Sequence, residues 1–162
     1  MEDSINYVLN EIKEHGPFDG VLSFSQGSIF FRHLYRVTHD IDSASYADVK
    51  DSIPRFIISV AGPYFPKMLV EYKGENFSQE KFTFPIESLH IYGEIDEYKA
   101  FMTEHELFTK DPVVVTHAEG HKFPRAFTDD DYEKLTAFVK KQYVAKFGSD
   151  EGFALTLDKF NF

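Results

Sequence analysis

Cysteine is absent from all 162 residues, which rules out a disulfide, a thiolate nucleophile and a thiolate-held metal. Long apolar runs are absent as well, and no segment approaches the length needed to span a bilayer. The opening Met1-Glu2-Asp3-Ser4 is acidic and lacks the basic-then-apolar pattern of a signal peptide or the Arg-rich face of a transit peptide. Positive charge is scarce: 17 basic residues stand against 27 acidic ones, for a formal net charge of −10. Nucleic acid and anionic membrane would both repel such a surface. No internal repeat and no low-complexity linker divides the chain. What remains is one soluble globule, cytoplasmic by default, with small neutral molecules or proteins as partners. Its apolar fraction of 43% supports an ordinary core.

Asp3 or Ser4 can cap a first helix in which Ile5, Val8, Leu9 and Ile12 share one face, with Gly16-Pro17 as the stop. Gly20-Val21-Leu22-Ser23-Phe24 then reads as a short strand covered on both faces. Gln26 to Val37 read as a helix turning Ile29, Phe30, Leu34 and Val37 to the core. Thr38 to Ser52 are polar and without sustained periodicity, a surface excursion with room for one helical turn. Phe56–Ala61, Leu89–Tyr92 and Val113–Thr116 supply three further strands. Tyr98, Phe101, Met102, His105 and Phe108 recur at helical spacing between the last two, and such a crossover implies a parallel sheet. Thr128-Asp129-Asp130-Asp131 opens a final helix, whose Lys140, Lys141 and Lys146 suit its other end. The expected fold is α/β, three layers around a mainly parallel sheet of about four strands. Residues 1–148 form the domain. Residues 149–162, with Phe153, Leu155 and Leu157 alternating, form a tail that adds a strand, docks on a neighbouring chain or frays.

Ser23-Phe24-Ser25-Gln26-Gly27 falls where a strand turns sharply into a helix, the setting that lifts a serine hydroxyl clear of a sheet. Ser25 is the candidate nucleophile. Gly27 avoids a collision with the neighbouring strand. Ser23 stands where glycine is usual, a small but more crowded substitute. By itself this turn has a plain structural reading. Asp96 after the third strand and His121 after the fourth add an acid and a base, in the serine–acid–histidine order of α/β-hydrolases and at the C-terminal strand ends where open α/β sheets place their sites. In acyl transfer His121 takes and returns the Ser25 proton, while Asp96 fixes the imidazole tautomer. Glu94 and Glu97 are neighbouring carboxylates that could replace Asp96.

Four passages carry a resemblance to the FSH family of serine hydrolases: Gly16 to Leu22, Phe24 to Ser28, Leu89 to Asp96, and His117 to Pro124. The likeness extends from near Ile5 to about Phe147. It implies a truncated α/β-hydrolase fold and esterase or thioesterase chemistry on a small acyl ester or thioester, with Ser25, Asp96 and His121 matching the family triad and no cofactor. Family members begin with additional strands, one followed by a His-Gly loop that helps build the oxyanion hole. Here the Gln26 N–H is the obvious oxyanion donor, and losing one donor typically costs ~10²–10³ in rate. Without a neighbouring strand, Val21–Phe24 becomes an apolar edge. That edge should be covered by the tail, by a second copy in a homodimer, or by another subunit.

His117 and His121 with Glu119 between them look superficially like a metal site, but Gly120 and the preceding β-branched strand argue against the helix that would align them. No metal is expected. His90 reads as a core or interface histidine. Phe30, Phe31, Tyr64 and Phe65 are the nearest candidates for a substrate pocket, although aromatic residues at these spacings are more often core. Tyr72-Lys73-Gly74-Glu75-Asn76 reads as a solvated loop. A non-enzymatic reading stands beside the hydrolase: a half-fold kept as a structural or protein-binding subunit of a larger assembly.

Overall fold

A computed structural model describes residues 1–78, 80 and 82–153. Helix α1 (Glu2–His15) buries Ile5, Leu9 and Ile12 and ends at Gly16. Its cap lies two residues before the first of those expected: Met1 holds the cap position with no side-chain bond, and Glu2 and Asp3 instead place negative charge in the first turn, where the helix dipole favours it. Strand β1 (Val21–Phe24) leads directly into α2 (Gln26–Arg36).

The main sheet has four strands in the order β1-β2-β5-β6, where β2 is Phe56–Val60, β5 is Phe84–Gly93 and β6 is Phe108–His117. Every pairing in it is parallel, and the register sets Phe24 beside Val60, Val60 beside Ile91, and Gly93 beside His117. The C-terminal ends of all four strands therefore open on one rim. Alternation along β2 separates the two faces. Ile57 packs with α1 and α2, whereas Phe56 and Ile58 pack with the cluster containing Leu135 and Phe138 of α3 (Asp129–Phe147). This is the three-layer α/β arrangement expected. Thr128 caps α3 by accepting the Asp131 N–H at 3.2 Å, and Gly148 closes it in the left-handed conformation, φ 78°.

Several local expectations are corrected. The segment from Tyr98 to Phe108 is not one helix but two 3-10 turns, Lys99–Phe101 and Glu104–Leu107. Only a short span separates Gly93 from Phe108, and Phe108 already belongs to β6. Tyr72–Asn76 is exposed apart from Tyr72, but it is not a loop. It forms the turn and inner pairs of an antiparallel hairpin, β3 (Leu69–Tyr72) and β4 (Glu75–Ser78), with Lys73 and Gly74 both at positive φ as a two-residue primed turn requires. Tyr72 is buried there and donates to Asp42. The excursion after α2 begins with a π-helical turn, Val37–Ile41, and its Val49 is buried. Finally α2 is enclosed on more than the expected face: Arg32, His33 and Tyr35 are buried along with Phe31 and Leu34.

The outer edge of β1 has no strand partner among the described residues, and Leu22 there is 59% exposed. Of the expected tail, Phe153 rests against Tyr143 of α3; Leu155 and Leu157 lie outside the described residues.

Candidate active site

The turn from β1 into α2 forces Ser25 to φ 51° and ψ −113°, a conformation that costs a residue with a side chain roughly 1–3 kcal/mol. Its backbone is held on both sides of the bend: the Ser25 N–H donates to Val60 O at 2.9 Å, and the Ser25 carbonyl accepts from Ser28 N–H at 3.0 Å. The bend lifts Oγ off the rim of the sheet. There it lies 2.8 Å from His121 Nε2, while His121 Nδ1 lies 2.9 Å from Asp96 Oδ2.

Proton positions follow from the acid. An ionised carboxylate only accepts, so Nδ1 carries the ring proton and Nε2 is left to accept the Ser25 hydroxyl. Asp96 is 5% exposed, and its other oxygen accepts the Tyr98 N–H at 2.8 Å. The carboxylate is thus aimed before the ring arrives. Glu94 and Glu97 are exposed; the carboxylate against the ring is that of Asp96.

The loops bearing acid and histidine are packed together at their roots. Glu94 N–H donates to His117 O at 2.8 Å. A Cβ on Gly93 would fall 2.3 Å from Glu119 O and 2.5 Å from Gly120 O. Around the ring, Phe24 and Tyr98 each place a centroid 5.2 Å from that of His121, and Phe123 stacks on Phe24. His117 faces elsewhere: its Nδ1 accepts the Glu119 N–H, and burial holds its ring below the ordinary imidazole range. Among the described residues no group of three or more His, Asp or Glu side chains is arranged to hold a metal.

Gln26 opens α2, so its N–H is one of the donors a helix start leaves without an intrahelical acceptor, beside the hydroxyl of Ser25 and at the positive end of the helix dipole. Gly27 does not have the expected role. A Cβ there would meet only Ser23 Cβ, at 3.7 Å, because among the described residues β1 has no outer neighbour to collide with. Ser23 fits by bonding rather than crowding, its Oγ 2.8 Å from that of Ser28.

Two grooves border the elbow. One, of about 420 Å³, runs along β1 past Phe18, Leu22, Phe24 and Gly27; the other, of about 620 Å³, lies between α2 and Leu69 of the hairpin. Phe30 lines both. Phe31 is on the floor of the first but only 3% exposed, a core side chain against Tyr35. Phe65 lies tilted against Phe101, their centroids 4.8 Å apart, and the Tyr64 N–H donates to the Phe101 carbonyl.

Sequence reasoning missed a second polar group beneath the elbow. Glu104, fully buried, pairs with Arg32, accepts from Ser59 Oγ at 2.5 Å and lies 3.3 Å from His90 Nδ1. The only signal was a charge set in each of two apolar runs, which is not enough to pair them. No helix among the described residues is long and apolar enough to cross a membrane.

A family model described as Serine hydrolase (FSH1) matches residues 1–131. Esterase C25G4.2 of Caenorhabditis elegans is 30% identical over 149 residues, covering 90% of this chain and 62% of that protein. Esterase OVCA2 of Homo sapiens is 31% identical over 128 residues, 78% of this chain and 52% of that protein. Family of serine hydrolases 3 of Saccharomyces cerevisiae is 30% identical over 128 residues, 75% and 44%. The chain spans between about two-fifths and three-fifths of the length of these relatives.

Proposed function

The chain belongs to the FSH1 family of serine hydrolases, and from that premise we propose that it cleaves a carboxylic ester or thioester through an acyl-enzyme on Ser25. The observation that carries this reading is one imidazole spanning two partners: His121 reaches Ser25 Oγ at 2.8 Å and Asp96 Oδ2 at 2.9 Å. As Oγ attacks the acyl carbon, its proton passes to Nε2 and the charge of the resulting imidazolium is balanced by Asp96, which stays ionised. The oxyanion forms beside the Gln26 N–H. Collapse of the tetrahedral adduct expels the alcohol or thiol, which takes the proton from Nε2. Water then repeats the sequence and frees the acid. No step draws on a metal or an organic cofactor.

The test is labelling with a fluorophosphonate and turnover of short p-nitrophenyl esters by the wild type, Ser25→Ala and His121→Ala. Signal in the wild type alone is expected. Equal signal in all three would remove the reading.

A second reading is favoured by the edge of β1, open among the described residues, with its 59%-exposed Leu22. In it the chain is a structural or protein-binding subunit whose partner, a second copy or another polypeptide, adds an extended strand along Val21–Phe24. Labelling that appears only after the partner is added would favour a composite enzyme, the added chain supplying the second oxyanion donor.

A further inference from the structure

Ser25 has a strained backbone on a strand that is unpaired on its outer side among the described residues. Such a conformation persists only where its surroundings over-determine it, so the restraint has to come from β2 and from beneath.

A file of hydroxyls runs through that space. Ser23 Oγ is 2.8 Å from Ser28 Oγ, Ser28 Oγ is 2.8 Å from Ser59 Oγ, and Ser59 Oγ is 2.5 Å from Glu104 Oε2. Ser28, Ser59 and Glu104 are all fully buried. A hydroxyl has one proton, and an ionised carboxylate can only accept. Ser59 therefore donates to Glu104, and it is placed as the donor toward Ser28 as well, so its one proton serves two acceptors, while either of Ser28 and Ser23 can donate to the other. The contacts run without a break from the buried charge to the Ser23 hydroxyl.

The charge is secured in turn. Burial pushes the Glu104 carboxyl up, but Arg32 beside it, His90 and the Ser59 hydrogen bond outweigh that and hold it below the ordinary carboxylate range. Arg32 also donates to Pro63 O at 2.7 Å, just past β2. Ser28 and Arg32 stand four apart on α2, on one face. The space is closed around them: a Cβ on Gly62 would lie 2.3 Å from both Glu104 Oε2 and Ser59 Oγ.

We propose that Glu104 is a positioning residue for Ser25, holding both flanks of the elbow through Ser59, Ser28 and Ser23. As a role in catalysis this rests on the hydrolase reading above; as a restraint on the elbow it does not. Breaking the file at a hydroxyl, rather than at the ion pair, leaves Arg32 and Glu104 together and the fold intact.

The experiment uses Ser28→Ala and Ser59→Ala in the full chain, with two readouts. The first is amide hydrogen exchange at Ser25 and Ser28, referred to Leu135 in α3. The second is ester hydrolysis resolved into kcat and KM. Each variant should raise exchange at Ser25 and Ser28 about tenfold relative to Leu135, and lower kcat about tenfold at unchanged KM, a split that general loosening would not produce. Combining either with Glu104→Gln should add less than the sum of the separate effects, since all act through one file. Wild-type exchange at the elbow in folded variants would overturn the proposal. So would raised exchange with unchanged kcat. If the wild type itself proves inert toward esters, the hydrolase reading fails separately, and the exchange data alone decide whether Glu104 restrains the elbow.

Discussion

Two hydrogen-bonded files converge on the same bend, one above it and one below, and each begins at a carboxylate. In the upper file Asp96 orders His121, which accepts from Ser25. In the lower file Glu104 takes the Ser59 hydroxyl, and the contacts continue through Ser28 to Ser23. The groups are of similar kinds, but their settings are opposite. The upper file passes through an imidazole at the rim, partly open to solvent and able to take a proton. The lower file passes only through hydroxyls, whose protons have nowhere to go, in a closed space braced by Arg32. A relay with a basic group and access can do chemistry; one without either can only hold shape.

Removing members of each file should break the comparison in different currencies. Ser25→Ala and His121→Ala should lower ester turnover by about 10⁴-fold or more while the Tm moves by less than about 2 °C. Asp96→Asn should cost roughly 10³–10⁴-fold in kcat, because the amide permits the wrong tautomer; kinetics beside a melting curve separates this from unfolding. Glu104→Gln should weigh mainly on stability, with the smaller loss of kcat expected of a break in the lower file. It leaves Arg32 buried and uncompensated, which should cost about 3–5 kcal/mol of stability, read as a shift in the denaturation midpoint.

Acid sharpens the contrast further. His33, buried on α2 with both ring nitrogens unpartnered among the described residues, has its pKa lowered to about 4 by burial and then by Arg32 and Arg36. The unfolded ring titrates near 6.5, so the neutral folded ring contributes stability that is complete above about pH 6.5 and is lost as the pH falls toward 4. Within that window the loss is on the order of 1.4 kcal/mol per pH unit. His33→Leu should flatten the melting profile there. The smallest effect is expected at the elbow itself: Gly27→Ala should change stability by no more than about 1 kcal/mol, in the stabilising direction, since helix propensity favours alanine and the new methyl meets only Ser23.

The upper file was legible in the sequence because its parts obey local rules. A small-residue turn between strand and helix marks Ser25, and turn residues ending two apolar runs mark Asp96 and His121. The lower file obeys no such rule. Glu104 interrupts a run of helical spacing that the chain does not use as a helix, and Arg32 is an unremarked charge on α2. Only the approach of that 3-10 turn to α2 makes them a pair. The hairpin was hidden for a related reason: Lys73-Gly74 makes the turn with a lysine at φ 51°, where asparagine or aspartate would have announced it. The full lengths of β5 and β6 were masked by Pro85 and Pro112 inside them. A parallel ladder absorbed the irregularity of β5 through register shifts between Phe84, Glu87 and Leu89.

Gly93 ties the upper file to the fold in a way that can be stated as a tolerance. The carbonyls of Glu119 and Gly120 occupy the space a side chain would need at residue 93, so the distance between the two loops is set by one absent carbon. Acid and base are therefore not adjustable independently. Any residue larger than glycine at this crossing would act as a wedge between their supports, and the gap it opened would be felt at the far end, where an imidazole must reach two oxygens at once.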